Sequence, residues 1–160
     1  MSLTTDVLHE LFEYKEGKLY RKVTIGGQLK GTEVGCLHHE GYLDVKINGK
    51  QYRVHRIIYM MFYGHIPRNM QIDHINRNRM DNRIENLRVV THCENQWNVS
   101  EKKGYHFISK HNKYRVRITV NRKRILIGDY NTEEEAAAAY KEAKEKYHII
   151  KDRKHEHIKI

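Results

Sequence analysis

The sequence predicts an α+β protein built of two modules. Three observations carry that prediction. "GYLDVKINGKQYRV" (residues 41–54) alternates apolar and polar residues around Asn48-Gly49. Residues 70–98 run in the order strand, long polar loop, strand, helix. "KYRVRITV" (113–120) alternates again, and "ILIGDY" and an Ala-rich stretch follow it. Alternation at period two marks a half-buried strand.

Residues 1–54 read as a scaffold of short strands. "KLYRKV" alternates, and Asn48-Gly49 signals a hairpin because both residues tolerate positive φ. "CLHHE" places Cys36, His38 and His39 together. One Cys and two neighbouring His fall short of a tetrahedral zinc set, so a β-scaffold is the favoured reading there. "HRIIYMMFYG" changes period. Ile57, Ile58, Met61 and Phe62 form one helical face, Gly64 ends the helix, and Pro67 blocks its continuation. That helix is expected to pack under residues 70–98.

"MQIDHI" reads as a strand ending in Asp73-His74. "NRNRMDNRIEN" is a polar loop, "LRVVT" a second strand, and Thr91 with Glu94 spaces a capping box for the next helix. Asp73 supplies hard carboxylate oxygen and Asn95 an amide oxygen, both suited to Mg²⁺. His74 leaves the opposite side of the strand and can serve as a general base. Asn86, where the loop returns, can hold the His74 region and fix a ring tautomer. Asn78, Asn82 and His92 read as loop or supporting residues. The competing reading is a solvated Asn-rich loop, since Asn and Asp are ordinary turn residues.

Charge separates the modules. The net charge is +10, and residues 101–130 hold nine basic residues against two acidic ones. Such concentration suits a phosphate-binding face better than general solubility. In the last module "NRKR" supplies a turn. Thr132 with Glu135 spaces a capping box, and Ala136, Tyr140, Ala143 and Tyr147 form one helical stripe. A three-stranded antiparallel sheet on one helix follows, with Tyr114, Val116, Ile118 and Val120 inward and Arg115 and Arg117 outward. The boundaries drawn are 1–100 (strands 1–54, core 55–100), 101–150, and a tail 151–160.

No run reaches the ~20 apolar residues of a membrane span. The start lacks a signal peptide's basic and apolar regions. Cys36 and Cys93 look like reduced thiols, so a cytoplasmic protein is expected.

"DH" at 73–74, the Asn86 of "IENL" and the Asn95 of "THCENQWN" resemble the HNH nuclease motif. The variant is the one that ends in Asn, as in phage-intron homing and nicking endonucleases. "GYLDVKINGKQYRVHRIIYMMFYGHIP" resembles the segment leading into it. The resemblance covers about residues 12–100. It implies a ββα-metal (His-Me finger) core that hydrolyses DNA phosphodiesters. Asp73 and Asn95 would hold one Mg²⁺ or Mn²⁺, His74 would be the general base and Asn86 the orienting residue. The four-cysteine zinc of some relatives is absent.

"GYHFISKHNKYRVRI" and "ILIGDYNTEEEAAAAY" resemble the ethylene-response-factor (APETALA-type) DNA-binding domain over about residues 103–148. Tyr114 stands where that family has Trp, and Arg115 and Arg117 where it has smaller or acidic residues. The expectation is that the sheet docks on double-stranded DNA without the family's base preference. Lys110, Lys113, Arg115, Arg117, Arg122 and Arg124 are the expected contacts, Arg to guanine edges and Lys mainly to phosphate. A monomer with one such site would nick a single strand. A non-catalytic DNA-binding regulator on the same scaffold is the rival class. RNA binding ranks last, for lack of aromatics on the arginine face.

Overall fold

The computed structural model describes residues 3–98, 103–151 and 153, a mixture of strands and helices. They form two compact units, one running through His92 and the other spanning Cys93–Lys151. The boundary drawn at 100 thus differs from the grouping in its treatment of the helix after Thr91, which groups with the second unit.

The first unit starts with α1 (Thr5–Leu11), whose Thr4 hydroxyl accepts from the Val7 amide. β1 (Phe12–Lys15), β2 (Lys18–Arg21) and β3 (Glu33–Val34) form one antiparallel sheet in that order. β4 (Cys36–Leu37), β5 (Leu43–Ile47) and β6 (Lys50–Arg53) form the next. Asn48 and Gly49 join β5 to β6 with φ of 48° and 81°, the left-handed pair that a two-residue hairpin needs.

α2 (Val54–Tyr63) ends on Gly64 at φ 82°. Its core residues are Val54, Ile57, Ile58, Tyr59 and Met61, packed with Ile72, Leu87 and Val89 of the next strands. One expectation fails here: Phe62 is 48% exposed, while Tyr59 is fully buried. The buried stripe lies about one residue round from the one read from hydrophobicity. Phe62 stands edge-on to Tyr14 instead, with ring centroids 4.9 Å apart. β7 (Met70–His74) and β8 (Leu87–Thr91) make a two-stranded antiparallel ladder, with Asp73 opposite Arg88 and His74 opposite Leu87.

α3 (His92–Trp97) starts on the last residue before the second unit, and its other residues belong to that unit. Trp97 stacks on His148, rings 4.5 Å apart and within 2° of parallel. β9 (Tyr105–Ile108), β10 (Lys113–Val120) and β11 (Lys123–Tyr130) form an antiparallel sheet with β10 central. α4 (Glu133–Tyr147) starts at the reciprocal Thr132–Glu135 capping box that the spacing predicts. Val116, Ile118, Ala136 and Ala143 are buried. A Cβ at Gly104 would meet the Tyr140 ring at 1.9 Å, so only glycine admits that ring. Residues 99–102 and most of the tail 151–160 lie outside the described residues.

The exposure pattern on α2 is directly testable by chemical denaturation. Ile58→Ala is expected to cost about 3 kcal/mol, the usual range for an emptied core site. Phe62→Ala is expected to cost about 1 kcal/mol, the scale of an aromatic pair. Equal costs would contradict the assigned face.

Candidate functional site

The last two residues of β7 leave opposite faces of the strand, and both are buried. Asp73 turns toward β8, where Arg88 Nε and Nη2 both donate to its Oδ2, at 2.9 and 2.8 Å. His74 is 3% exposed, and its Nε2 pairs with Asn82 Oδ1 at 2.9 Å. An amide oxygen only accepts, so Nε2 carries the proton and Nδ1 keeps the lone pair. Burial lowers the His74 pKa, while Asn82, Asp73 and Asp81 oppose the shift and Arg79 adds to it. The ring is therefore biased toward the neutral form that a base requires.

The 75–86 loop is a web of side-chain bonds. Asn86 Oδ1 accepts from the Asn76 amide at 3.0 Å. Its Nδ2 donates to Asn76 Oδ1 at 3.0 Å and to the Asp81 carbonyl at 2.7 Å. The Ile75 amide donates to the Asn86 carbonyl at 2.9 Å. Asn86 thus closes the loop's two ends on each other. Asp81 takes Arg83 Nε at 2.8 Å, Arg83 Nη2 at 2.7 Å and Asn76 Nδ2 at 2.7 Å, and Arg83 above all holds its carboxyl well below the usual range. The β1–β2 hairpin supports the loop's return. Tyr14 Oη accepts from the Ile84 amide at 3.1 Å, and a Cβ on Gly17 would meet Arg83 N at 2.8 Å.

Sequence reasoning placed the residue that touches His74 among three loop or supporting residues without singling it out. Asn82 is 1% exposed, and its Nδ2 has no hydrogen-bond partner among the described residues. It is one Asn among several in a polar run, and nothing in the string separates it from Asn78. His55 was missed. It sits in the first turn of α2, 6% exposed, with its ring 5.0 Å from that of His74. Burial, with the charges of His74, Arg56 and Arg53, lowers its pKa to about 3.

Asn95 lies half-buried on α3 in the second unit. Among the described residues no group of three or more His, Cys, Asp or Glu is placed to hold a metal. Cys36 is exposed, and the His38 and His39 rings lie 4.0 Å apart, so the zinc alternative gains no support. The donor chemistry at Asp73 and Asn95 does suit a hard divalent ion, being carboxylate and amide oxygen. Arg88 places both of its bonds on a single Asp73 oxygen.

The expected DNA contacts spread along the length of the sheet of the second unit, from the turn before β10 to the β10–β11 turn and β11. Lys110 lies in a 3-10 turn, Lys113, Arg115 and Arg117 on β10, Arg122 in the β10–β11 turn and Arg124 on β11. Arg122 has φ 65°, beside Asn121 at 50°. All but Arg115 are exposed. Arg115 differs because Asp129, directly across the ladder, takes its Nε and Nη2 at 2.7 Å each. Leu126, opposite Arg117, is 57% exposed on the same face. No helix among the described residues is long and apolar enough to cross a membrane.

Residues 52–97 match the family model described as HNH endonuclease, a segment containing Asp73, His74, Asn82, Asn86 and Asn95. An uncharacterized HNH endonuclease of Acanthamoeba polyphaga mimivirus is 37% identical over 92 residues, which is 55% of this chain and 49% of that protein. SPbeta prophage-derived YosQ of Bacillus subtilis (strain 168), whose name carries the HNH homing endonuclease description, is 38% identical over 55 residues. That is 34% of this chain and 32% of YosQ. The chain therefore spans half or less of the length of these relatives. The solved structure of DNA binding and cleavage by the HNH homing endonuclease I-HmuI aligns with 79% of this chain and 75% of its own, at 19% identity and a TM-score of 0.42.

The buried histidines make stability depend on pH. Both have folded pKa values below the ordinary imidazole value. Between that value and the folded one the unfolded chain binds more protons, so stability falls as pH falls. Each such proton contributes up to roughly 1.4 kcal/mol per pH unit. Denaturant midpoints measured from pH 7 to pH 5 should fall, and His55→Gln should flatten the slope. A slope unchanged in His55→Gln would contradict a neutral buried His55.

Proposed function

We propose that this chain is a metal-dependent HNH endonuclease that hydrolyses DNA phosphodiester bonds, of the homing or nicking kind. One observation carries the reading. A buried histidine ends β7, its protonated nitrogen set by Asn82, inside the segment that matches the HNH endonuclease family. A regulator that cuts nothing has no use for a neutral, tautomer-fixed imidazole of this kind.

His74 acts as general base. Its Nδ1 takes a proton from water as the water attacks phosphorus, the bond from phosphorus to the departing 3′-oxygen breaks, that oxygen takes a proton from solvent, and Nε2–H stays on Asn82. Asn86 positions the loop that carries Asn82, through its bonds to Asn76 and Asp81. Asp73 and Asn95 would hold the divalent ion, Mg²⁺ or Mn²⁺. When bound, that ion would supply electrophilic stabilisation of the growing phosphate charge. Arg88 orients the Asp73 carboxylate meanwhile.

The second unit is proposed to hold double-stranded DNA as an APETALA-type module. Its three-stranded sheet, its helix on one face and the exposed Arg117 and Arg124 on the other support that reading. One site per monomer then nicks one strand per binding event.

Purified protein with Mg²⁺ or Mn²⁺ is expected to nick or cut plasmid or genomic duplex DNA. His74→Ala should reduce that by at least about 10²-fold, the usual yield of a general base, with DNA affinity retained. Intact DNA across divalent ions and candidate targets would defeat the enzyme reading. Affinity measured against salt tests the second unit. Arg117→Ala with Arg124→Ala should weaken binding and lower the log–log salt slope by about one per phosphate contact removed. Unchanged affinity together with an unchanged slope would remove those residues from the interface.

A further inference from the structure

A single hydrogen bond does not fix an imidazole. The Asn82 contact anchors Nε2, but χ2 of a histidine is a broad torsion, so the ring plane can still swing about that anchor. The structure supplies a second constraint. The rings of Tyr42, His55 and His74 form a closed triangle. His55 meets His74 at 5.0 Å and 69°, Tyr42 meets His55 at 5.2 Å and 42°, and Tyr42 meets His74 at 6.0 Å and 38°. All lie within the range of aromatic pairing, and the His55–His74 contact is edge-to-face.

Tyr42 is itself held. Arg53 places its guanidinium 4.9 Å from the Tyr42 ring centre, and Asp44 fixes Arg53 through bonds of 3.1 and 3.2 Å to Nη1. Arg79, exposed on the 75–86 loop, places its guanidinium 4.8 Å from the same ring and donates Nη1 to the Glu40 carbonyl at 2.6 Å. The loop that carries Asn82 is thereby tied to the ring that touches His74.

We propose that Tyr42 and His55 are positioning residues for the general base: their rings set the plane of the His74 imidazole, and Arg79 locks the Asn82 loop to the same triangle. The proposal rests on the reading of His74 as base. Tyr42 and His55 need touch neither water nor phosphate. They act through His74, so the chemical step depends on a ring at each position rather than on a hydroxyl or an imidazole.

The test is single-turnover cleavage by the full chain, together with NMR observation of the His74 Nε2–H proton. Tyr42→Phe and His55→Phe keep the rings. They should hold the cleavage rate within about threefold and retain the sharp proton signal, since orientation is what the rings contribute. Tyr42→Leu and His55→Leu remove a ring. They should lose about 10- to 100-fold in rate, broaden the signal and leave DNA affinity within about twofold, the pattern of a misplaced group. Arg79→Ala changes an exposed residue and serves where a core variant fails to fold. It should broaden the signal and lower the rate in the same sense. Equal rates in ring-keeping and ring-losing variants, or a signal as sharp in Arg79→Ala and Tyr42→Leu as in wild type, would overturn the proposal. A His74→Ala protein that still cuts would overturn the base assignment instead, and the NMR arm reads the triangle independently of cutting.

Discussion

The bond between His74 Nε2 and Asn82 Oδ1 is the constraint around which the first unit is organised. It is buried at both ends, so it is made away from competing water and strengthened by its surroundings. A buried imidazole without a partner would be costly, and one with a free choice of tautomer would be a poor base. Everything near it limits motion. β7 and β8 fix the strand beneath, Asn86 closes the loop, and the β1–β2 hairpin braces the return at Arg83 and Ile84. The scaffold strands and α2 are therefore more than a platform.

Both units pair some cations and expose others. In the first, three arginines are matched locally to carboxylates: Arg88 to Asp73, Arg83 to Asp81, Arg53 to Asp44. In the second, the sheet presents Arg117, Arg124 and the turn residue Arg122 to solvent, while Arg115 is bridged by Asp129. A paired Arg115 is presented in a fixed orientation, which favours geometry over charge at that position. Paired charges shape a site, and exposed ones draw in a polyanion.

Local signals in the sequence proved reliable where local physics decides. Asn48-Gly49 turns a hairpin, Gly64 ends α2, and Thr132 with Glu135 caps α4. The alternation of β10 buries Val116 and Ile118 as it predicts. The failures share a cause: burial of a particular residue is a tertiary outcome. Phe62 is apolar and in phase, yet α2 turns Tyr59 inward, because the face is chosen by what packs against it. Asn82 and Asn78 carry the same turn propensity, and only the closed loop makes one of them a buried acceptor. His55 reads as part of an apolar helix start, and its meeting with His74 depends on the packing of α2 against β7. The grouping of α3 with the second unit was equally hidden, since Trp97 finds His148 only across some fifty residues of chain.

The proposed role of His74 rests on its bond to Asn82, and the most direct measurement alters that acceptor alone. Single-turnover cleavage by Asn82→Ala, with DNA affinity measured in parallel, tests whether His74, the proposed base, depends on its partner. A rate lower by about 10²-fold with affinity unchanged is expected, the scale that follows when a catalytic group loses its orientation. A wild-type rate in Asn82→Ala, with the fold intact, would contradict that dependence.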